Sequence, residues 1–142
     1  FFFTHNDLKE SGEVGIQFIK TLSNKKDLKS LAINSCNLNG DLLEELKNSL
    51  ENQTALKELY LFANKISSEG APFISALIKN KLGLTCLGLS NNKLHKSGAI
   101  EIAENGLSGK TDLIKLSIEN NVITNDGLQA FAVALKDCCQ IQ

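Results

Sequence analysis

Arginine is missing altogether: all 15 basic residues of this 142-residue chain are lysine. The planar arginine fork is the side chain that reads guanine edges and grips phosphates at two points. Its absence, with a formal net charge of −1, argues against a nucleic-acid partner. The chain also lacks its own arginine finger for nucleotide hydrolysis. Histidine is scarce. Only His5 and His95 occur, and neither falls beside a nucleophile and a carboxylate, so no catalytic residues are expected. No apolar run approaches the length of a membrane span, and no membrane partner is expected. The four cysteines, Cys36, Cys86, Cys138 and Cys139, show neither the pairing of disulfide caps nor zinc-ligand spacing. Free thiols in a reducing, cytoplasmic compartment are expected, with no metal and no cofactor.

What is abundant is leucine in a fixed register. The eleven-residue pattern Leu-x-x-Leu-x-Leu-x-x-Asn-x-Leu begins at Leu28, Leu56, Leu84 and Leu113. Positions one, four, six and eleven are apolar in all four copies. At 42% hydrophobic content, one fixed frame would do this by chance roughly once in a million. Position nine is Cys36, Asn64, Asn92 and Asn121. In a stacked coil this side chain points inward where strand pairing stops and buried backbone groups still need partners. An amide can donate to one carbonyl and accept from a neighbouring amide, forming a ladder between coils. A thiol is a weaker substitute that fits the same space.

A partial copy opens the chain, with Phe1, Phe3, Asn6 and Leu8 at positions four, six, nine and eleven. Ile141 starts another. The chain also begins with Phe and has no Met, so a segment of a longer protein is expected. The boundaries are a partial repeat at 1–27, repeats at 28–55, 56–83, 84–112 and 113–140, and a further start at 141, all in one domain. Uncapped ends would expose apolar surface and permit self-association.

Between strand motifs the apolar period lengthens. Leu43, Leu46 and Leu50; Ile74, Leu77 and Ile78; Ala99, Ile102 and Ala103; and Leu128, Phe131 and Leu135 recur at helical spacing. Pro72 sits where a first helical turn tolerates it. Gly12, Gly70, Gly98 and Gly127 follow position eleven by four residues and read as turn signals. Each unit is a short strand, a turn and a helix of about three turns. Stacking such units buries a continuous core that no single unit can bury.

This pattern resembles the leucine-rich repeats over almost the whole chain, and within them the longer, helix-containing ribonuclease-inhibitor-like subtype. It is similar to the repeats of NOD-like receptors and of Ran GTPase-activating proteins. The opening repeat departs from the pattern, its helical part being about two residues longer. The resemblance implies an α/β fold: a right-handed solenoid with parallel strands on the concave face and helices on the convex face.

Alternation along each strand selects the concave side chains. Position three gives Ser30, Glu58, Cys86 and Lys115. Position five gives Phe2, Ala32, Tyr60, Gly88 and Ser117. Position seven gives Thr4, Asn34, Phe62, Ser90 and Glu119, and position eight His5, Ser35, Ala63, Asn91 and Asn120. Tyr60 and Phe62 share a strand, two residues apart, with the small Ala32 and Gly88 on either side leaving open space around Tyr60. Such an aromatic pair is what an interface anchor looks like, although the rings could equally cover neighbouring strand surface. Phe2, Asn34, Asn91 and Asn120 extend the candidate partner-binding face. Glu58, Lys115 and Glu119 form a mixed charged border suited to a solvated rim. Asn52-Gln53-Thr54 matches a glycosylation sequon in an inter-repeat turn.

The expected function is a non-catalytic protein–protein interaction module: an immune-type sensor, a scaffold, or a secreted bacterial effector in the host cytosol. The alternatives are a small-GTPase regulator of the Ran GTPase-activating type, implied by the resemblance, and a structural spacer in a larger assembly.

Overall fold

A computed structural model describes residues 1–138, 140 and 141. Five short strands form one parallel sheet in chain order: β1 (Phe2–Thr4), β2 (Ser30–Asn34), β3 (Glu58–Tyr60), β4 (Cys86–Gly88) and β5 (Lys115–Ser117). The pairing places like repeat positions side by side. Phe2 faces Ala32, Ala32 faces Tyr60, Tyr60 faces Gly88, and Gly88 faces Ser117. Helices α1 (Glu13–Lys20), α2 (Gly40–Leu50), α3 (Ala71–Lys79), α4 (His95–Glu101) and α5 (Asn125–Ala134) alternate with the strands. The molecule is an α/β leucine-rich repeat solenoid. His95 opens α4 and is not in a loop as its place after the strand motif suggests.

The core is the leucine register made three-dimensional. Leu31, Leu59 and Leu87 from the strands and Leu46, Ile74 and Ile102 from the helices are buried in one cluster. Each fully buried aliphatic side chain of this kind contributes roughly 2 kcal/mol. The last coil is less well covered. Leu116, Ile118 and Ile123 are only half-buried, and Leu128, expected inside, is exposed. A parallel coil buries its face only against the next coil, and no described residue covers this edge. At the opposite edge Phe2 is exposed, and the Asn6 side chain donates from Nδ2 to the Thr4 carbonyl of its own loop.

Each strand is followed, within three residues, by a left-handed residue at position eight: His5, Ser35, Ala63, Asn91 and Asn120, with φ between 54° and 60°. That bend turns the chain from the sheet towards the helix. It also puts Asn91 and Asn120 beyond their strands, where Asn120 Nδ2 donates to Asn91 Oδ1 at 2.9 Å. Asn39 then caps α2, its Oδ1 accepting from the Leu42 amide at 3.1 Å. Pro72 lies in the first turn of α3.

Of the glycines that follow the strand motifs, Gly12 and Gly70 lie in turns as expected, whereas the other two do something else. Gly98 and Gly127 lie within α4 and α5. A Cβ at Gly127 would stand 3.0 Å from Ala99 Cβ, and one at Gly98 would stand 3.1 Å from Ser68 Cα. They let each helix approach the preceding coil, a tertiary reason that spacing alone does not reveal.

One coil is longer than its neighbours: the interval from Leu84 to Leu113 exceeds those from Leu28 to Leu56 and from Leu56 to Leu84 by a single residue. The extra residue is absorbed where α4 widens into a π-helical stretch, Ile102–Leu107. Ile102 keeps the place of Ile74, but Leu107 takes that of Ile78, and all four are buried. Gly106 in the wide turn admits Ile78, whose Cδ1 would be 2.9 Å from a Cβ there. The core register survives the insertion.

Candidate interaction face

Position nine forms the expected ladder. Cys36 is buried, and its amide donates to Asn64 Oδ1 at 2.8 Å. Asn64 Nδ2 donates to the carbonyls of Ile33 and Phe62. Asn92 Oδ1 accepts from the amides of Asn64 and Ile66, while its Nδ2 donates to the carbonyls of Leu61 and Leu89. Asn121 repeats the pattern one coil on. The Cys36 thiol, which can only donate weakly, lies against the Asn34 and Phe3 carbonyls. Burial raises its pKa.

A second ladder runs along the other end of the coils, and the leucine pattern does not reveal it. Gln53, Lys81, Lys110 and Cys138 each stand three residues before a position-one residue, and all four are buried. Each donates to one or two carbonyls at or just beyond the end of the preceding coil's helical segment. Gln53 Nε2 reaches the Leu22 and Ser23 carbonyls, and Lys81 Nζ those of Leu50 and Glu51 at 2.6 and 2.9 Å. Lys110 Nζ bonds the Lys79 and Lys81 carbonyls, and the Cys138 thiol donates to the Lys110 carbonyl. The final carbonyls of a helix lack intrahelical partners and carry the negative end of its dipole, which is what allows an ammonium to be buried there. Burial still disfavours the charge. It lowers Lys81, and it brings Lys110 down to about 8, aided by the nearby Lys81 ammonium. Spacing alone could locate this row, since its members recur once per coil at a fixed place before position one. Their chemistry, however, changes from amide to ammonium to thiol. Gln53 lies in the sequon triplet and points inward, whereas Asn52 is exposed. Cys139 lies outside the described residues.

On the concave side, Glu58, Tyr60 and Phe62 are half-buried. The two rings stack, with centroids 5.7 Å apart and planes 30° from parallel. The space expected beside Tyr60 is not open. A Cβ at Gly88 would collide with both rings, at 2.8 Å from Tyr60 Cδ1 and closer still to the Phe62 ring edge. Glycine at this position leaves a depression on β4 that the rings fill, because covering bare backbone removes apolar ring surface from water. Ala32 and Gly88 are accordingly buried. Burial, a hydrogen bond with the Cys86 thiol and the Glu58 carboxylate push the Tyr60 phenol up to about 12.

The polar candidates divide in the same way. The Asn34 side chain is an acceptor for the Phe62 amide at 2.9 Å, fixing the loop that carries that ring. The Ser90 hydroxyl donates to Glu119, and this bond, first, holds the Glu119 carboxylate below its usual range, with help from its own amide and the Lys115 ammonium. Lys115, Glu119, Asn91 and Asn120 are exposed. Phe2 lies in the same row as Tyr60 but one strand beyond Ala32, apart from the stacked pair. Among the described residues, no group of three or more His, Cys, Asp or Glu could hold a metal ion, and no helix is long and apolar enough to cross a membrane.

Comparison with known proteins places this geometry among leucine-rich repeats. A family model described as a leucine-rich repeat matches residues 109–132, which span one strand–turn–helix unit. The mouse (Mus musculus) NACHT, LRR and PYD domains-containing protein 14 is 29% identical over 139 residues, covering 94% of this chain and 14% of that protein. The chain therefore spans about one seventh of that relative's length. Among solved structures, leiomodin-1 actin-binding site 2 is similar in fold, with a TM-score of 0.67 over 89% of this chain and 73% of that one, at 18% identity.

Proposed function

We propose that this chain is a protein-recognition module of the ribonuclease-inhibitor-like subtype, binding its partner on the concave face with Tyr60 and Phe62 as anchors. The stacked ring pair carries the reading. It is half-exposed in the middle of the sheet, seated on Gly88, and bordered by Asn34, Ser90 and Glu119. Rings held by their own scaffold lose little freedom on binding, so contact area converts into affinity efficiently. The length of the units that begin at Leu28, Leu56 and Leu84, each with room for a full helix, supports the subtype. Glu58, Lys115, Asn91 and Asn120 form the polar border that tunes encounter. The names of the similar proteins suggest contexts in which such a surface works, an actin-binding site among them, and bring no partner to this chain by themselves.

The test begins with pull-down by the full-length protein and mass spectrometry to identify a binder. Replacing Tyr60 and Phe62 together by Ala should then weaken binding by roughly thirtyfold, as loss of a central aromatic anchor does. Circular dichroism should show the solenoid intact. Unchanged affinity with intact folding would sink the concave-face reading.

A further inference from the structure

The ring pair lies between carboxylates. Glu58 precedes Tyr60 by two residues on the same side of β3. Glu119 bonds Ser90, which follows Gly88 by two residues, as Phe62 follows its register partner Tyr60. That bond is made to Oε2 and holds the Glu119 carboxylate at Ser90, one coil from the position of Phe62. Other charges near this side include Lys115, one strand beyond Cys86, and the N-terminal ammonium, which donates to the carbonyl of Ser30, the register partner of Glu58. Among the described residues, none of Glu58, Lys115 and Glu119 forms an ion pair, whereas the pair Lys96–Asp126 lies on the helix side.

We propose that this site seats an arginine side chain of the partner, its guanidinium stacked on the Tyr60–Phe62 rings and hydrogen-bonded to the Glu119 carboxylate. The inference rests on the concave-face reading above and adds the partner's chemistry. A guanidinium suits the place better than an ammonium. It is planar, it stacks on aromatic faces, it is weakly hydrated, and its fork reaches a carboxylate while its face stays on a ring. Glu58 supplies a second negative charge at the Tyr60 end, so the ring pair has a carboxylate towards each side. A partner loop with an exposed arginine finds both halves of what that side chain needs in one location.

Tyr60 is the only tyrosine and the chain has no tryptophan, so tyrosine fluorescence and the tyrosine ring NMR signals report this site alone. The intact chain is titrated with the blocked pentapeptide Gly-Arg-Gly-Arg-Gly and with versions carrying Lys, Leu or Glu in place of Arg. The expected result is a shift of the Tyr60 and Phe62 ring signals by the arginine peptide. Its affinity should exceed that of the lysine peptide by about threefold or more and fall by a similar factor in Glu119→Gln. Raising the salt should weaken it further. Three outcomes overturn the proposal: rings unmoved by the arginine peptide at millimolar concentration, equal binding by lysine or glutamate peptides, or unchanged binding in Glu119→Gln. Ring shifts with the leucine peptide but not with the arginine peptide end the arginine assignment while leaving the concave-face reading intact. That reading is decided separately by the Tyr60/Phe62 double variant and its protein partner.

Discussion

The two ends of each coil face one problem and solve it differently. At the end of the strand, the bend leaves both amides and carbonyls unpaired inside the molecule. Asn64, Asn92 and Asn121 meet that need because a carboxamide donates and accepts at once. At the end of the helix only carbonyls are left over, and any donor of suitable reach will serve. Gln53, Lys81, Lys110 and Cys138 occupy that row in turn. Where both kinds of partner are required, few residues qualify and a motif is visible. Where one kind suffices, the residues vary and the motif disappears although the position is just as buried.

The sharpest way to break this contrast is Asn92→Ala. It strands the Asn64 and Ile66 amides and the Leu61 carbonyl in the core, while the Leu89 carbonyl keeps its bond from Asn121, and should cost about 3 kcal/mol or more in urea unfolding. A loss below about 1 kcal/mol would mean that water or relaxation replaces the amide, and the two rows would no longer differ in kind.

A second measurement concerns charge. Lys110 titrates at about 8 in the folded chain against its ordinary 10.5. Between those values the unfolded chain binds the extra proton, so stability from this group rises as pH climbs through the window and is lost as pH falls through 8. Compared with Lys110→Met across about pH 7.5 to 10.5 (an interval about as wide as the shift), the parent chain should gain on the order of 2 kcal/mol. A flat difference would show that the ammonium is solvated after all.

The smallest expected effect is Lys81→Gln. A glutamine already does the same work one coil earlier, so the change should stay within about 1 kcal/mol of the parent. If Lys81→Gln costs as much as Asn92→Ala, the helix-end row is chemically selective and the contrast fails.

Legibility follows the same division. The leucine positions, the Asn register and the alternation of strand and helix are readable because each coil repeats one local geometry. The π-helical stretch at Ile102–Leu107 is not, although the longer interval between Leu84 and Leu113 announces an extra residue. Only packing against Ile78 decides where it is accommodated. Helical spacing assigns Leu128 to the inside, yet it lies outside, because burial of a solenoid face depends on the adjacent coil. Alternation puts the concave candidates on the right side of the sheet but misjudges the space beside Tyr60. Gly88 is a whole coil away in sequence and directly beneath the rings in space.

By itself the sequence determined the coil: its length, its inward leucines, its asparagine ladder and the side from which Tyr60 and Phe62 project. These follow from periodicity, and periodicity is a local property of the chain. The tertiary structure alone decided what each surface position meets. Rings settle on a glycine of the next strand, an ammonium is buried against the preceding helix, and Glu119 accepts a hydrogen bond from Ser90. Those neighbours sit about one coil apart along the chain, and only stacking brings them within reach of the short-range forces that fix side-chain direction.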